Sequence, residues 1–161
     1  MIEIREIRPE DYDFLWKMLH QAIYSPAVKL PESVIYEPPL AHYAASFGRA
    51  GDYGFVLATD TTLVGAAWAR RWSGENRGYG FVDEATPELA MAIQENFRGR
   101  GYGQQLLEKL IEKGAQSGYA QLSLSVDKQN RAFVLYQRAG FVTVSEISNS
   151  CTMVRKISRA D

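Results

Sequence analysis

The stretch Glu88 to Leu107, ELAMAIQENFRGRGYGQQLL, brings together groups suited to holding a phosphorylated ligand. An apolar run, Glu88–Ile93, reads as a β-strand and leads into a turn bearing Gly99, Gly101 and Gly103 together with Arg98 and Arg100. The turn passes into a helical pattern, Gly101–Gly114, with Leu106, Leu107, Leu110 and Ile111 on one face. The first N–H groups of a helix have no intrahelical partner, and the positive end of its dipole lies there, so the site favours an anion. Glycines let the backbone wrap closely around phosphoryl oxygens, and guanidinium groups add charge. Two common phosphate loops do not fit. The chain contains no Gly-Lys, which a P-loop requires, and the sixth position counted from Gly99 is Gln104 rather than the glycine of a dinucleotide fingerprint.

The elements that must hold this turn can be read from periodicity. Ile2 to Ile7 alternates apolar and polar residues as a half-buried strand does, and Pro9-Glu10-Asp11 opens a helix with Tyr12, Leu15, Trp16, Leu19 and Ile23 as its stripe. Four prolines between Ser25 and Pro39 predict a loop, followed by a short helix around Leu40–Phe47. Tyr53–Thr59 and Thr62–Trp72 read as strands joined by a tight connection, and Ser73–Gly80 as a polar, glycine-rich loop. Leu122, Leu124 and Val126 alternate with polar residues in a strand with one wet face. Arg131–Arg138 is a short helix stopped by Gly140, and Phe141–Ile157 supplies two more strands. The order β-α-α-β-β-β-α-β-α-β-β combines hairpins with a β-α-β crossover. It predicts an α/β (α+β mixed) fold with a mixed sheet in a single domain spanning 1–161.

Two motifs resemble those of the GNAT (GCN5-related) N-acetyltransferase superfamily. Arg98-x-x-Gly101-x-Gly103 after a strand is similar to the family's Gln/Arg-x-x-Gly-x-Gly/Ala pattern for the pyrophosphate of acetyl-CoA. About 30 residues on, Asn130-x-Ala132-x-x-Leu135-Tyr136-x-x-x-Gly140-Phe141 resembles the family's Asn-x-Ala-x-x-Leu-Tyr-x-x-x-Gly-Phe segment. Arg131 stands where many members carry proline, and Tyr102 where an aliphatic residue is common.

The resemblance implies the GNAT fold, a central twisted mixed sheet flanked by helices, and transfer of an acetyl group from acetyl-CoA to an amine by direct attack on the thioester. It implies that the strand before the loop splays from its neighbour to admit the pantetheine arm. Main-chain groups of Met91, Ala92 and Ile93 would hold that arm. Arg98, Gly99, Arg100, Gly101, Tyr102, Gly103 and Gln104 would hold the pyrophosphate, with Asn130 a further cofactor contact. Tyr136 would be the acid for the departing thiolate and Glu88 the base, with Asp83 and Glu84 the next candidates. The acceptor would be an amine-bearing small molecule or peptide, and Tyr36, Trp68, Trp72 and Tyr79 are candidates to line its pocket. The same fold without turnover, an acyl-CoA-binding module, is the alternative. Dimers are common in the family, and a homodimer is compatible with this chain.

Composition bounds the remaining classes. The 161 residues carry 18 Lys+Arg against 19 Asp+Glu, and 46% are apolar, which fits a globular chain and not a disordered one. So balanced a charge is unlike a general nucleic-acid binder. No apolar run reaches the ~18 residues of a membrane span, and the N-terminus lacks a signal-peptide pattern. The one cysteine, Cys151, predicts a reducing compartment, so a cytoplasmic location is expected. His20 and His42 lack ligand spacing and no metal is expected. Arg70-Arg71 reads as a solvated strand end.

Overall fold

The computed structural model describes residues 1–158, so the last three residues of the expected single-domain span lie outside the described residues. Seven strands form one sheet in the order β1-β2-β3-β4-β5-β7-β6. In chain order these are β1 (Glu3–Glu6), β2 (Tyr53–Ala58), β3 (Leu63–Arg70), β4 (Glu88–Ile93), β5 (Gln121–Asp127), β6 (Val142–Ile147) and β7 (Ser150–Lys156). The helices are α1 (Tyr12–Ala22), α2 (Tyr102–Gln116) and α3 (Ala132–Arg138). All pairings are antiparallel except β4 with β5, where the α2 crossover makes the two strands parallel. No helix among the described residues is long and apolar enough to cross a membrane.

The sheet has a core on each face. On one, Leu106, Leu107 and Leu110 of α2 and Tyr136 of α3 pack on Leu57, Ala67, Leu89, Leu122, Leu124 and Val126. On the other, Leu15, Met18 and Leu19 of α1 pack with Ile35, Tyr43, Trp68, Trp72 and Ala92. Because successive strand residues point to opposite faces, β4 sends Leu89 toward α2 and Glu88 toward α1. The clean alternation in β5 puts Ser123 on the α1 face as well.

The parallel β4–β5 pair does not run its full length. Its one register pair is Glu88 with Ser123, sealed by the Ser123 N–H donating to Pro87 O at 3.0 Å. Beyond this vertex the strands part. On its other side β4 stays fully paired with β3, from Arg70 opposite Glu88 to Gly65 opposite Ile93. The opening leaves the main-chain edge of residues 89–93 without a strand partner on the β5 side.

The α1-to-β2 segment differs from the expected pattern in detail. Ser25–Pro39 contains a short 3-10 helix, Glu32–Tyr36, and the helix expected at Leu40–Phe47 is a 3-10 turn over Leu40–Tyr43. Neither is amphipathic over a length that periodicity can register; both are held by tertiary contacts. Arg70 corrects the sequence reading outright. It is only 1% exposed, and its guanidinium donates to the carbonyls of His42 (2.8 Å), Ala45 (2.7 Å) and Ser46 (3.3 Å) and to the Asp52 carboxylate. The segment is short on its own hydrogen bonds, and a buried guanidinium with five donors gathers its free carbonyls. Its neighbour Arg71 is exposed and lies over the Tyr119 ring.

Candidate active site

The turn after β4 has the geometry its glycines allow. Gly99 and Gly101 adopt φ of 79° and 82°, and a Cβ at either would meet nothing within 4 Å, so the backbone borders open space. Both need the left-handed conformation, which costs other residues roughly 1–2 kcal/mol. Gly101 is the residue before α2, with no side chain capping the helix, and the first N–H to reach back to it is that of Gln105, at 3.2 Å. The N–H groups of Tyr102, Gly103 and Gln104 thus have no intrahelical partner and face the turn. Gly103 is packed rather than open: a Cβ would lie 3.3 Å from Leu135 Cδ2 and 3.6 Å from Met91 Cε. That contact brings the two sequence motifs together, α3 against the start of α2 and against β4.

The two arginines frame the turn. Arg98 Nε donates to Ile93 O at 2.9 Å, bracing the end of β4, and its Nη2 reaches Gln21 Oε1 at 3.3 Å. Arg100 donates to Asn96 O at 3.4 Å and lies over the Phe97 ring. Gln104 is exposed, its amide donating to Glu108 Oε1. In β4, Ala92 is buried and Met91 and Ile93 half-buried. Asn130 caps α3, its Oδ1 accepting the Ala132 N–H at 2.9 Å, which leaves its side-chain NH2 for other partners.

Tyr136 lies on the α2 face of the sheet, 5% exposed, its ring edge-on to Phe141 with centroids 5.8 Å apart. Burial pushes its hydroxyl well above the usual phenol range, so it stays protonated.

Glu88 lies on the opposite face at the vertex of the opening, 2% exposed. Three donors converge on it: the Tyr43 hydroxyl on Oε2, the Gly80 N–H on Oε2 at 3.0 Å, and Trp72 Nε1 on Oε1 at 2.8 Å. Burial pushes its carboxyl up to about 7, against the pull of these bonds in the other direction. Tyr43 is itself fixed at both ends. Its carbonyl accepts Trp68 Nε1 at 2.7 Å, and its hydroxyl accepts the Tyr79 N–H at 2.7 Å. Through Tyr43 and Gly80 the loop between β3 and β4 is tied down over Glu88. A Cβ on Gly80 would come within 2.5 Å of the Leu124 carbonyl carbon and 2.7 Å of Ser125 N, so only glycine lets the loop lie on β5.

The aromatic candidates divide. Trp68 and Trp72 are buried and spend their indole N–H groups on Tyr43 and Glu88, whereas Tyr36 and Tyr79 are about 60% exposed. Asp83 and Glu84 are exposed, and Asp83 accepts the Ala85 N–H in a local turn. Sequence reasoning missed Tyr43, Gly80 and Ser123 as neighbours of Glu88. Two glycines at 78 and 80 in a polar loop were the available signal of close backbone approach.

Residues 3–141 match the family model described as the acetyltransferase (GNAT) family. The chain belongs to the GNAT acetyltransferase family. A curated relative, the L-methionine sulfoximine/L-methionine sulfone acetyltransferase of Pseudomonas aeruginosa, is 29% identical over 124 residues, covering 74% of this chain and 71% of that protein. Among solved structures, the PaiA N-acetyltransferase of Thermoplasma acidophilum in complex with coenzyme A superposes with a TM-score of 0.71 at 20% identity, covering 97% of this chain and 99% of that one. A Salmonella typhimurium protein solved with its cofactor acetyl-CoA gives a TM-score of 0.66 at 18% identity, covering 99% and 95%. Those two superpositions show that the chain shares their overall fold.

Proposed function

We propose that this GNAT acetyltransferase moves the acetyl group of acetyl-CoA onto the primary amine of a small molecule or peptide at the β4–β5 vertex. The observation that carries this reading is the placement of the open β4 edge. It runs from the glycine turn, where an anion is favoured, to a buried carboxylate whose affinity for a proton is matched to neutral pH. The residues fit the cofactor: the free N–H groups of α2 suit the pyrophosphate, and the edge of β4 left without a strand partner beyond Glu88 suits the amides of the pantetheine arm, with Ile93 O already held by Arg98. When bound, acetyl-CoA supplies an activated acyl carbon and a good sulfur leaving group.

The chain's own residues handle charge and protons. An alkylamine, with a pKa near ~10, is protonated at neutral pH and cannot attack until a proton is removed. Glu88, poised near 7, is a base able to take it. The nitrogen then forms the new C–N bond, the C–S bond breaks with its electron pair on sulfur, and the nitrogen sheds a second proton. Main-chain N–H groups near Leu89–Met91 stabilise the oxyanion that forms on the way. Tyr136, on the other face, donates a hydrogen bond to the departing sulfur. Because its hydroxyl holds its proton more tightly than a thiol does (about 8.5), it keeps that proton and stabilises the thiolate by hydrogen bonding, and the second proton the nitrogen loses passes to the sulfur through solvent. Base and sulfur partner thus approach the reacting carbon from opposite faces of the sheet.

The curated relative acts on an α-amino-acid analogue, so α-amino acids are the first acceptors to examine. The test is release of free thiol from acetyl-CoA with a panel of amines, run with the parent protein and with Glu88→Gln. Amine-dependent release that falls at least about 100-fold in Glu88→Gln supports the reading. Undiminished release in the variant would remove Glu88 as the base.

A further inference from the structure

Glu88 is sealed at rest. Its carboxylate accepts from Tyr43 and the Gly80 N–H on Oε2 and from Trp72 Nε1 on Oε1. The Gly78 backbone covers Oε1: a Cβ there would collide with that oxygen and come 2.5 Å from Tyr43 Oη. No acceptor can touch either oxygen until one of these four neighbours moves. Tyr43 and Trp72 are fixed, since both are buried in the α1-side core and the Tyr43 carbonyl accepts Trp68 Nε1 at 2.7 Å. Gly78 and Gly80 lie in the connection between β3 and β4.

That connection is held lightly over residues 73–80. Residues 73–77 and Tyr79 are exposed, and no side chain of 73–80 joins either core. Three of its hydrogen bonds are internal: Asn76 N–H to Ser73 O at 3.3 Å, Arg77 N–H to Glu75 O at 3.0 Å, and Arg77 Nε to Gly74 O at 2.8 Å. Among the described residues, two tie it to another part of the fold, the Tyr79 N–H to Tyr43 Oη at 2.7 Å and the Gly80 N–H to Glu88 Oε2 at 3.0 Å. Both end on the pair of residues that the segment covers. The flanks are anchored: Trp72 is buried, and on the other side Thr86 Oγ1 accepts the Gln121 amide at 3.0 Å. Gly74, at φ 62° with nothing within 4 Å of an added Cβ, supplies freedom at one end. A segment with few buried apolar contacts opens at far lower cost than the sheet beneath it unfolds.

We propose that residues 73–80 are a lid over Glu88, latched in the free protein by the Gly80 amide, which holds on Oε2 the place that the acceptor amine takes. The lid lifts as a unit and keeps its internal hydrogen bonds. The amine then donates to Oε2 where Gly80 did, and the lid settles against the rest of the acceptor. This role rests on the reading of Glu88 as the base. It accounts for a base that is covered at rest and yet serves an acceptor arriving from solvent. It also gives both glycines a reason: a side chain at 78 would strike Glu88, and one at 80 would strike the β5 backbone, so the lid seats only with glycine at both positions.

The experiment is hydrogen exchange of the full chain, read amide by amide by NMR, with low concentrations of urea to separate local opening from global unfolding. The Tyr79 and Gly80 amides should exchange at least about 100-fold faster than those of β3, at a rate that urea leaves unchanged. In Glu88→Gln the Gly80 amide should exchange about tenfold faster still, because a neutral acceptor holds it less tightly than a carboxylate. Gly78→Ala, whose methyl group keeps the lid from seating, should free both amides. In the thiol-release assay with the α-amino-acid panel it should raise amine KM at least about tenfold, with acetyl-CoA affinity and melting temperature near those of the parent. Tyr79 and Gly80 amides that exchange only as slowly as β3, and accelerate with urea, overturn the lid; if Glu88→Gln is impaired in the same preparations, the base stands without it. Full turnover in Glu88→Gln beside rapid lid exchange overturns the base, and with it the amine's place on the carboxylate. An unchanged amine KM in Gly78→Ala overturns the part of the lid in turnover.

Discussion

Replacing Tyr43 with phenylalanine tests the electrostatics of the site in isolation. The substitution keeps the ring, which packs edge-on to Trp72 at 5.4 Å, and deletes only the hydroxyl that donates to Glu88 Oε2. A hydrogen bond to a charged acceptor contributes about 1.5–3 kcal/mol. Part of it survives when the carboxyl is protonated, so the difference between the two forms is taken as about 1.4 kcal/mol, or one pKa unit. The direction is upward, because the lost donor favoured the carboxylate. Glu88, near 7 in the parent, should then titrate near ~8. The other groups facing it do not compensate: Arg70, its partner across β3, is committed to Asp52 and three carbonyls, and His42 meets it only through Trp72. At pH 7 the ionised fraction falls from about half to about one tenth, and kcat/KM should drop roughly fivefold, recovering by pH ~9. The assay is kcat/KM for the amine from pH 5.5 to 9.5 in both proteins. The variant also frees the Tyr79 N–H from its acceptor, which affects amine KM but does not move the limb of the profile. An acidic limb unmoved by the substitution would refute the assignment of that limb to Glu88.

Other outcomes follow from the same geometry. Glu88 binds its proton more tightly folded than unfolded, about 7 against an ordinary 4.5, so its contribution to stability is greatest below pH ~4.5 and is lost as pH rises through ~7. Melting temperature should therefore decline across that window more steeply in the parent than in Glu88→Gln; parallel slopes would contradict the raised proton affinity. Gly101→Glu forces a left-handed φ on a side chain and sets a carboxylate against the free amides of α2, so calorimetry should find acetyl-CoA binding weakened at least about tenfold. Gly80→Ala, with no room over Leu124, should raise amine KM or abolish turnover while acetyl-CoA affinity is retained. Tyr136→Phe should keep cofactor affinity and lose about 10-fold or more in kcat, and unchanged turnover would remove its role at the sulfur.

How much of this was legible in the sequence depended on the range of the forces involved. Glu88–Ile93 was readable as β4 and Gly101–Gly114 as α2 within two residues, because periodicity and glycine positions are local properties. The glycine turn was legible for the same reason: Arg98, Gly101 and Gly103 lie within six residues of chain. The surroundings of Glu88 were not. Tyr43 lies 45 positions away in a 3-10 turn without amphipathic pattern, and it is placed by Trp68 and Arg70 from another strand. Arg70 looked solvated because charge at a strand end ordinarily is; only the unpaired carbonyls of 42, 45 and 46 explain its burial. Ser123 read as part of a wet face, whereas the loop carrying Gly80 covers it.

On the proposed function, one opening in the sheet joins an acyl-CoA to an amine beside a buried carboxylate. Mass spectrometry of an α-amino-acid panel incubated with acetyl-CoA and the protein, with free thiol quantified in the same samples, tests it most directly. The account predicts at least one N-acetylated product formed mole for mole with thiol, absent with Gly101→Glu and strongly reduced with Glu88→Gln. Thiol released without any N-acetylated product, or product formed equally well by both variants, would contradict it.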